Sequence, residues 1–203
     1  MKPAPKIILA SRSPRRSALL RQMGFQFEVR SKEISESSVA VTDPIDRVIQ
    51  LSRKKAEAVL GEVEDSLIIG ADTIVCLDKK IFGKPSNPEE AKDMLRSLSG
   101  KTHEVFTGFT ILETRDRSIS DYEKTRVTFR KIEDWEIEDY VNSGEPLDKA
   151  GAYGIQDRSG LFVDRIEGCF YNVVGFPLTK FYEALKKLFD RETIQKLFDP
   201  MRG

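Results

Sequence analysis

The alternation of apolar and polar positions along the chain predicts strands and helices in turn. Strand-like apolar runs lie at residues 6–10 and 66–77, and the segments between them repeat apolar residues every three or four positions, as helices do. Further along, two alternating stretches flank the polar sequence ETRDR, which is typical of an antiparallel hairpin. This order of elements predicts an α/β fold with a mixed sheet.

Capping residues predict where several of these elements begin and end. Ser13 followed by Pro14 indicates a helix that runs to about Met23, and Asp43 followed by Pro44 indicates a second helix that ends near Gly61. Trp135 and Tyr140 are expected on or near the apolar face of a later helix. The other expected elements are strands at 25–29, 105–112, the stretch toward 129 and 161–168, and helices at 88–95, 132–141, 177–189 and within 191–203.

One carboxylate interrupts the most apolar stretch, SLIIGADTIVCL at residues 66–77. Because an unpaired charge is costly to bury, we expect this central strand to break at residues 70–73, which places Asp72 at a strand end. Asp72 is then a metal ligand or general base, or else a turn aspartate that caps its own backbone. The apolar flanks favour a partly buried side chain with a functional role.

A compact basic stretch, LASRSPRR at residues 9–16, follows the first expected strand. Arg15 and Arg16 in the first turn of a helix oppose the partial positive charge of that helix end. A bound polyphosphate reverses this effect, because backbone N–H groups, hydroxyls and guanidinium groups then converge on one anion. The alternative is a solvated basic turn, and the stretch alone does not decide between them.

Four further side chains are candidates for a site, each with an ordinary alternative. Lys84 in FGKP and Lys55 late in the second helix are phosphate ligands or surface lysines, and Glu33 is an acidic metal ligand or a surface residue. Gln156, in the glycine-rich loop GEPLDKAGAYGIQD, is able to read the donor–acceptor edge of a base. His103 is the only histidine, and we assign it no catalytic role.

Composition excludes several classes of function. Of 203 residues, 33 are Lys or Arg and 33 are Asp or Glu, so net charge gives no argument for binding to nucleic acid or membrane. Two distant cysteines and a single histidine disfavour a disulfide scaffold and a histidine-built zinc site. Apolar runs are too short for a signal peptide or a membrane helix, and GxxxxGK[ST] and GxGxxG motifs are missing. We therefore expect a cytoplasmic protein without a membrane or nucleic-acid partner.

Seven short motifs together resemble the Maf family of nucleoside triphosphate pyrophosphatases. They occur in the family's order, cover about residues 6–189, and read LASRSPRR, LSRKKA, GADTIV, GKP, SGKTHEVFTG, GEPLDKAGAYGIQ and YNVVGFPL. Each motif is weak alone, but seven in order form a specific signal. We therefore expect residues 1–203 to form a single Maf-like domain, with the tail at 190–203 outside the resemblance.

The resemblance implies a fold and an activity. The fold is expected to be related to the inosine triphosphate pyrophosphatases, with a long, twisted mixed sheet flanked by helices, in two lobes around a nucleotide cleft. The implied reaction is hydrolysis of a nucleoside triphosphate to the monophosphate and pyrophosphate, with Mg²⁺ or Mn²⁺, in a homodimer. GAYGIQ is similar to the branch that prefers dTTP and UTP. The alternative function is a nucleotide-binding regulator of septum formation without significant catalysis.

The same resemblance assigns roles to individual residues. Asp72 is the expected proton acceptor, and Arg12 matches no fixed position of the family. Ser52 and Asp157 depart from the family, which commonly has alanine and glycine there; Asp157 adjoins the expected base pocket. The further roles that the resemblance implies are substrate specificity for Arg15, Thr73 and Gln156, phosphate binding for Ser11, Arg16, Lys55 and Lys84, and an acidic site residue at Glu33. From the chemistry of their carboxylates, Glu33 and Asp72 are the expected metal ligands.

Overall fold

A computed structural model describes residues 5–35, 39, 41–114 and 117–198 of the chain. These residues form two compact units. The first unit comprises the described parts of residues 1–72, 108–122 and 175–203, and the second comprises residues 73–107 and the described part of 123–174. Within the described residues, no helix combines the length and the apolar character needed to cross a membrane.

Strands and helices alternate through the first half of the chain, as its apolar pattern predicts. The strands are β1 (Lys6–Leu9), β2 (Glu28–Val29), β3 (Ser66–Leu77), β4 (Lys80–Phe82), β5 (Thr102–Glu113), β6 (Ser118–Phe129) and β7 (Val163–Glu167). The helices are α1 (Pro14–Gln22), α2 (Pro44–Leu60), α3 (Pro88–Leu98), α4 (Asp134–Asn142), α5 (Phe170–Val174), α6 (Leu178–Leu188) and α7 (Arg191–Lys196). Short 3₁₀ turns at 145–148, 150–152 and 158–162 occupy the expected loop between α4 and β7.

Among the described residues, the strands form one mixed sheet of seven strands in the order β2-β1-β3-β5-β6-β7, with β4 paired to β3. β1 is parallel to β2 and β3, whereas the β3–β4 and β6–β7 pairs are antiparallel. Side-chain bonds link Thr102 to Thr128 and Thr110 to Ser120, so β5 and β6 run in opposite directions, as the hairpin pattern predicts. The predicted α/β fold with a mixed sheet flanked by helices is confirmed.

The predicted helix starts are confirmed by their caps. The side chain of Ser13 accepts a hydrogen bond from the backbone of Arg16, and Pro14 occupies the first turn of α1. Asp43 caps α2 and Asn87 caps α3 in the same way, again with a proline directly after the cap. These starts follow from residues within a few positions of one another, which is why the sequence alone predicts them.

Three expectations about secondary structure are wrong. β3 is continuous over twelve residues, so Asp72 lies inside the strand and not at its end. Of residues 25–29 only the last two form a strand, whereas Phe25 forms an isolated bridge with Phe198 and packs into an aromatic cluster. Trp135 is 69% exposed, since it lies two positions before the buried Ile137 and therefore about 200° away around the helix.

An aromatic cluster fills the core of the first unit. Phe25 contacts Phe181 edge to face, and Phe181 in turn contacts Phe109 and Phe176. Phe198 lies against Phe25 with ring centroids 4.5 Å apart. The described part of the tail, residues 190–198, which lies outside the family resemblance, is therefore packed within this unit through Phe198.

Helix α2 lies unusually close to the sheet because two glycines face it. A Cβ atom added to Gly70 on β3 would lie 2.0 Å from the carbonyl oxygen of Ser52. A Cβ atom added to Gly108 on β5 would lie 2.6 Å from the carbonyl of Val48. Next to these contacts, the Ser52 hydroxyl bonds the Thr110 hydroxyl at 2.8 Å. Any larger side chain at either glycine must push helix backbone away from the sheet.

Replacing Gly108 by alanine therefore tests this close packing. We expect Gly108→Ala to lower the free energy of unfolding by roughly 1–3 kcal/mol, because the added methyl group overpacks a backbone contact. Urea denaturation measures the change. Gly61→Ala is the matched control, since nothing lies within 4 Å of a Cβ atom there and its φ is −72°. Equal stability of the Gly108→Ala variant and the wild type would contradict the packing argument.

Candidate active site

A largely buried ion pair in the first unit joins Lys55 of α2 to Asp72 of β3. The Lys55 Nζ atom is 2.5 Å from Oδ1 of Asp72, and the side chains are only 18% and 9% exposed. Gly70 and Asp72 share one face of β3, and Ser52 and Lys55 are one turn apart on α2. Because α2 contacts β3 closely at Gly70, the side chain of Lys55 lies within reach of the Asp72 carboxylate. The ammonium offsets the cost of burying the carboxylate inside a strand, which the sequence pattern did not reveal.

Ser11 and Arg16, both expected phosphate ligands, contact each other at the start of α1. The Ser11 hydroxyl accepts a hydrogen bond from Nη1 of Arg16 at 2.9 Å. Nε of Arg16 donates to the carbonyl of Gly175 at 2.8 Å, and the whole residue is only 8% exposed. The positive φ of Gly175, +119°, belongs to a backbone conformation that favours glycine. These contacts fix the guanidinium at a helix end that otherwise disfavours a cation.

Two other arginines of the basic stretch have different surroundings. Arg15 is half-buried in the first turn of α1. Arg12, to which the family resemblance assigns no role, pairs with Glu33 at 3.2 Å, and these side chains are 71% and 84% exposed. An ion pair so exposed contributes little to stability. Glu33, an expected metal ligand, is thus paired with Arg12, the one arginine of the basic stretch that has no expected function.

Asp72 and Glu33 are the two residues that are expected to bind a metal ion. Among residues 5–35, 39, 41–114 and 117–198, no group of three or more His, Cys, Asp or Glu side chains is able to hold a metal ion. The two carboxylates instead contact Lys55 and Arg12. Mg²⁺ commonly takes one or two carboxylates and completes its shell with water and substrate phosphates. The oxygen donors of Asp72 fit that kind of site.

The second unit contains the other expected specificity and phosphate residues. Thr73 follows Asp72 in β3, is half-buried, and bonds the hydroxyl of Thr107 at 3.0 Å. Lys84 and Gln156 are both exposed and lie on separate loops. A hydrogen bond from the backbone of Gly151 to the carbonyl of Gly83, 2.9 Å long, joins these two loops. The motifs GKP and GAYGIQ are thereby in contact.

A buried lysine organises the loop that carries Gln156. Lys149 is only 6% exposed, and its Nζ atom lies 2.8 Å from Asp148 and 3.0 Å from Asp157. It also donates to the backbone carbonyl of Glu145. The contact with Asp157 is an ion pair without hydrogen-bond geometry at Oδ2. Asp157, the departure from the family pattern, is therefore a structural partner of Lys149 next to Gln156.

A buried histidine–tyrosine pair holds the same loop. Nε2 of His103 lies 2.8 Å from the hydroxyl of Tyr153, and both residues are buried. Edge-to-face contacts with Phe129 surround the pair. Burial lowers the pKa of His103 from 6.5 to about 4, so the imidazole is neutral at pH 7. These contacts anchor Tyr153, three positions before Gln156.

Several residues that arrange these side chains were missed by the sequence analysis. Gly70, Thr107, Asn172 and Gly175 carry no chemistry that marks them as site residues. Gly70 alone had a usable signal, because a glycine within a buried strand often marks close approach of another backbone.

Sequence comparison identifies the family of the chain. A sequence model of the family described as Maf-like protein matches residues 6–188. The chain belongs to the Maf-like protein family. It is 49% identical over 182 residues to proteins of Bacillus cereus (strain AH820) and Bacillus anthracis that are named dTTP/UTP pyrophosphatase, covering 90% of this chain and 95% of each relative.

The resemblance drawn from seven short motifs of this Maf-like chain is thus confirmed. A solved structure of the Staphylococcus aureus Ham1 protein also aligns with the chain, covering 91% of it and all of the Ham1 chain. The sequence identity is 10% and the TM-score is 0.48. A likeness of this size carries no inference about chemistry.

The buried His103 predicts a dependence of stability on pH. Unfolded histidine binds a proton near pH 6.5 and the folded residue only near pH 4, so the unfolded state binds more protons between these values. The free energy of unfolding is therefore expected to fall with decreasing pH through this window, by about 3 kcal/mol in all. Urea denaturation at pH 7 and pH 4.5 measures the loss.

The double variant His103→Phe, Tyr153→Phe supplies the comparison. It replaces both bonded partners by apolar rings and leaves neither polar group unpaired. Because other carboxylates titrate in the same range, the informative quantity is the difference between the two proteins. An equal loss of stability in both would show that His103 is not responsible.

Proposed function

We propose that this Maf-like chain hydrolyses dTTP and UTP to the corresponding monophosphates and pyrophosphate. The names of its relatives, at 49% identity over 90% of the chain, support these substrates. The observation that carries the chemistry is the buried carboxylate of Asp72, held 2.5 Å from the ammonium of Lys55. This pair offers a proton acceptor beside a fixed positive charge, which hydrolysis of a phosphoanhydride requires.

In the proposed reaction, water attacks the α-phosphorus of the nucleotide. Asp72 accepts a proton from that water as the new P–O bond forms. The bond between the α-phosphorus and the bridging oxygen breaks, and pyrophosphate leaves with the electron pair. Lys55 keeps the carboxylate oriented and stabilises negative charge that develops on phosphate oxygens. The reaction needs no covalent intermediate.

Positioning of the triphosphate is proposed for Ser11, Arg16 and Lys84, together with Lys55. Arg16 is already oriented by its bonds to Ser11 and to the carbonyl of Gly175, which reduces the entropy lost when it binds an anion. Mg²⁺ or Mn²⁺, with Asp72 as ligand and Glu33 as a second candidate, supplies neutralisation of phosphate charge when bound. The resemblance is the support for these roles.

The choice among bases is proposed for Arg15, Thr73 and Gln156. Gln156 is exposed on a loop that Lys149 and Tyr153 hold from its buried side. A glutamine amide offers one acceptor and two donors, which suits the edge of a pyrimidine.

The assembly and location of the protein are proposals of the same kind. The family match runs through residues 6–188, which include parts of both units, and we propose that they work as a single domain. We further propose a homodimer, which size-exclusion chromatography with light scattering tests. Both cysteines are free thiols, which supports a cytoplasmic location.

Substitution of Asp72 tests the proposed reaction. Asp72→Asn keeps the shape of the side chain but removes the proton acceptor, so we expect turnover of dTTP to fall by roughly 10²–10⁴-fold. Nucleotide affinity is expected to remain within a few-fold of wild type. Pyrophosphate release and equilibrium dTTP binding measure the two quantities.

Asp78→Asn is the control for that experiment, because Asp78 is an exposed turn residue just after the same strand. It is expected to keep wild-type turnover. Turnover of the Asp72→Asn variant close to that of the wild type would remove Asp72 from its role. Binding of dTTP by the wild type without any pyrophosphate release would instead favour a nucleotide-binding regulator.

Substitution of Gln156 tests base selection separately from hydrolysis. We expect Gln156→Ala to change the ratio of kcat/KM values among dTTP, UTP, dCTP and dGTP by about tenfold, since one or two hydrogen bonds to the base are lost. The exposed Gln50→Ala on α2 serves as the control. An equal loss of activity on all four nucleotides would assign Gln156 a general role and contradict base selection.

A further inference from the structure

Gln156 lies in a tight turn whose two ends are held by hydrogen bonds. The backbone N–H group of Asp157 donates to the carbonyl of Gly154 at 2.9 Å, so Gln156 is the third residue of a four-residue turn. The N–H group of Gly154 donates to the hydroxyl of Ser159 at 3.0 Å, and Ser159 is fully buried. The orientation of the exposed Gln156 side chain therefore depends on how firmly residues 154 and 157 are held.

An ion pair anchors the second end of this turn. The carboxylate of Asp157 lies 3.0 Å from Nζ of Lys149, and these side chains are 27% and 8% exposed. The backbone of Lys149 is itself fixed, because its N–H group donates to the carbonyl of Pro146 and its carbonyl accepts from the N–H group of Ala152, both at 3.1 Å. An ion pair with so little exposure is only weakly screened by salt. The pair thus ties the turn to a fixed point earlier in the chain.

The backbone around the ion pair accommodates it without strain. A Cβ atom added to Gly154 would lie 2.5 Å from Oδ2 of Asp157 and 2.8 Å from Cε of Lys149, so the glycine leaves the space that the pair occupies. The backbone of Asp157 is extended, with φ −98° and ψ −173°, a conformation that any residue adopts. Position 157 therefore does not need the glycine that is common in the family, and a carboxylate is accepted there.

We propose that Asp157 is a positioning residue that increases selectivity for the base by fixing the turn of Gln156 through Lys149. A chain with glycine at position 157 lacks the carboxylate and therefore lacks this anchor. A glutamine held in one orientation loses less entropy when it binds and tolerates fewer arrangements of donors and acceptors. The proposal rests on the proposed function, in which Gln156 reads the base.

Three variants at position 157 separate the carboxylate from other effects of substitution. Asp157→Asn keeps the shape without the charge, Asp157→Ala removes the carboxylate, and Asp157→Gly also frees the backbone. We expect each to lower the ratio of kcat/KM for dTTP to that for dCTP by roughly two- to fivefold, a smaller change than that expected of Gln156→Ala. The change is expected in KM and not in kcat, because the turn is proposed to bind the base and not the reacting phosphate.

Two comparisons separate positioning from a general effect on the fold. Asp148→Asn removes a second carboxylate near Lys149, at 2.8 Å, but lies outside the turn, so the ratio is expected to stay at the wild-type value. With Gln156→Ala in place, adding Asp157→Asn is expected to cause no further change in the ratio, since Asp157 acts through Gln156. If Asp157→Asn fails to fold, as judged by thermal melting, Asp157→Ala and Asp157→Gly decide the proposal.

The outcomes distinguish this inference from the proposed function. A wild type that binds dTTP without hydrolysing it would overturn the function alone, and the ratio of dissociation constants for dTTP and dCTP then tests the inference. A wild type that neither binds nor hydrolyses dTTP would overturn both.

Three results would overturn the inference alone. The first is an unaltered ratio in both Asp157→Asn and Asp157→Ala. The second is a change confined to Asp157→Gly, because the cause would then be backbone freedom and not the ion pair. The third is an equal loss of activity on both nucleotides, which would assign the pair to support of the fold.

Discussion

The burial of the Asp72 carboxylate within a continuous strand constrains the first unit more than any other feature. Such a charge needs a cation within reach, and Lys55 meets that need at 2.5 Å. A lysine on a helix reaches a strand residue at this distance only if the helix lies very close to the sheet. Gly70 and Gly108 allow that approach because they place no side chain at the two points where the backbone of α2 comes closest to the sheet. The two glycines have no reactive side chain, yet they determine the surroundings of Asp72, the residue proposed for proton transfer.

In the second unit, buried polar contacts hold the loop that carries Gln156 in place. In the first unit, by contrast, close packing of α2 on the sheet positions Lys55. The loop with Gln156 contains only short 3₁₀ turns, and Lys149, Tyr153 and Ser159 anchor it through buried polar contacts. The buried polar atoms in such a loop must be paired, because each unpaired one costs free energy. Pairing also fixes the loop conformation, and a fixed loop loses less entropy when it binds a nucleotide. Stability and recognition therefore depend on the same bonds.

The sequence predicted features that depend on neighbours along the chain and missed those that depend on distant residues. The caps at Ser13 and Asp43 were predicted because cap and helix are adjacent. The break in β3 was wrongly predicted because Lys55, whose ammonium pairs with the Asp72 carboxylate, is 17 residues away in the sequence. The seven family motifs contain the expected site residues other than Glu33, but they gave no contacts between them. The contact between Thr107 and Thr73 is visible only when the two strands are placed side by side.

The polar groups proposed for recognition share one physical property: part of their bonding capacity is already used within the protein. Arg16 commits two donors to Ser11 and to the Gly175 carbonyl, so its plane is set before an anion arrives. Thr73 shares a hydrogen bond with the hydroxyl of Thr107, so part of its bonding capacity is used in the same way. A free arginine or threonine on the surface offers more ways to bond and for that reason discriminates less. Reduced bonding capacity converts a flexible polar side chain into one that accepts a single arrangement of donors and acceptors.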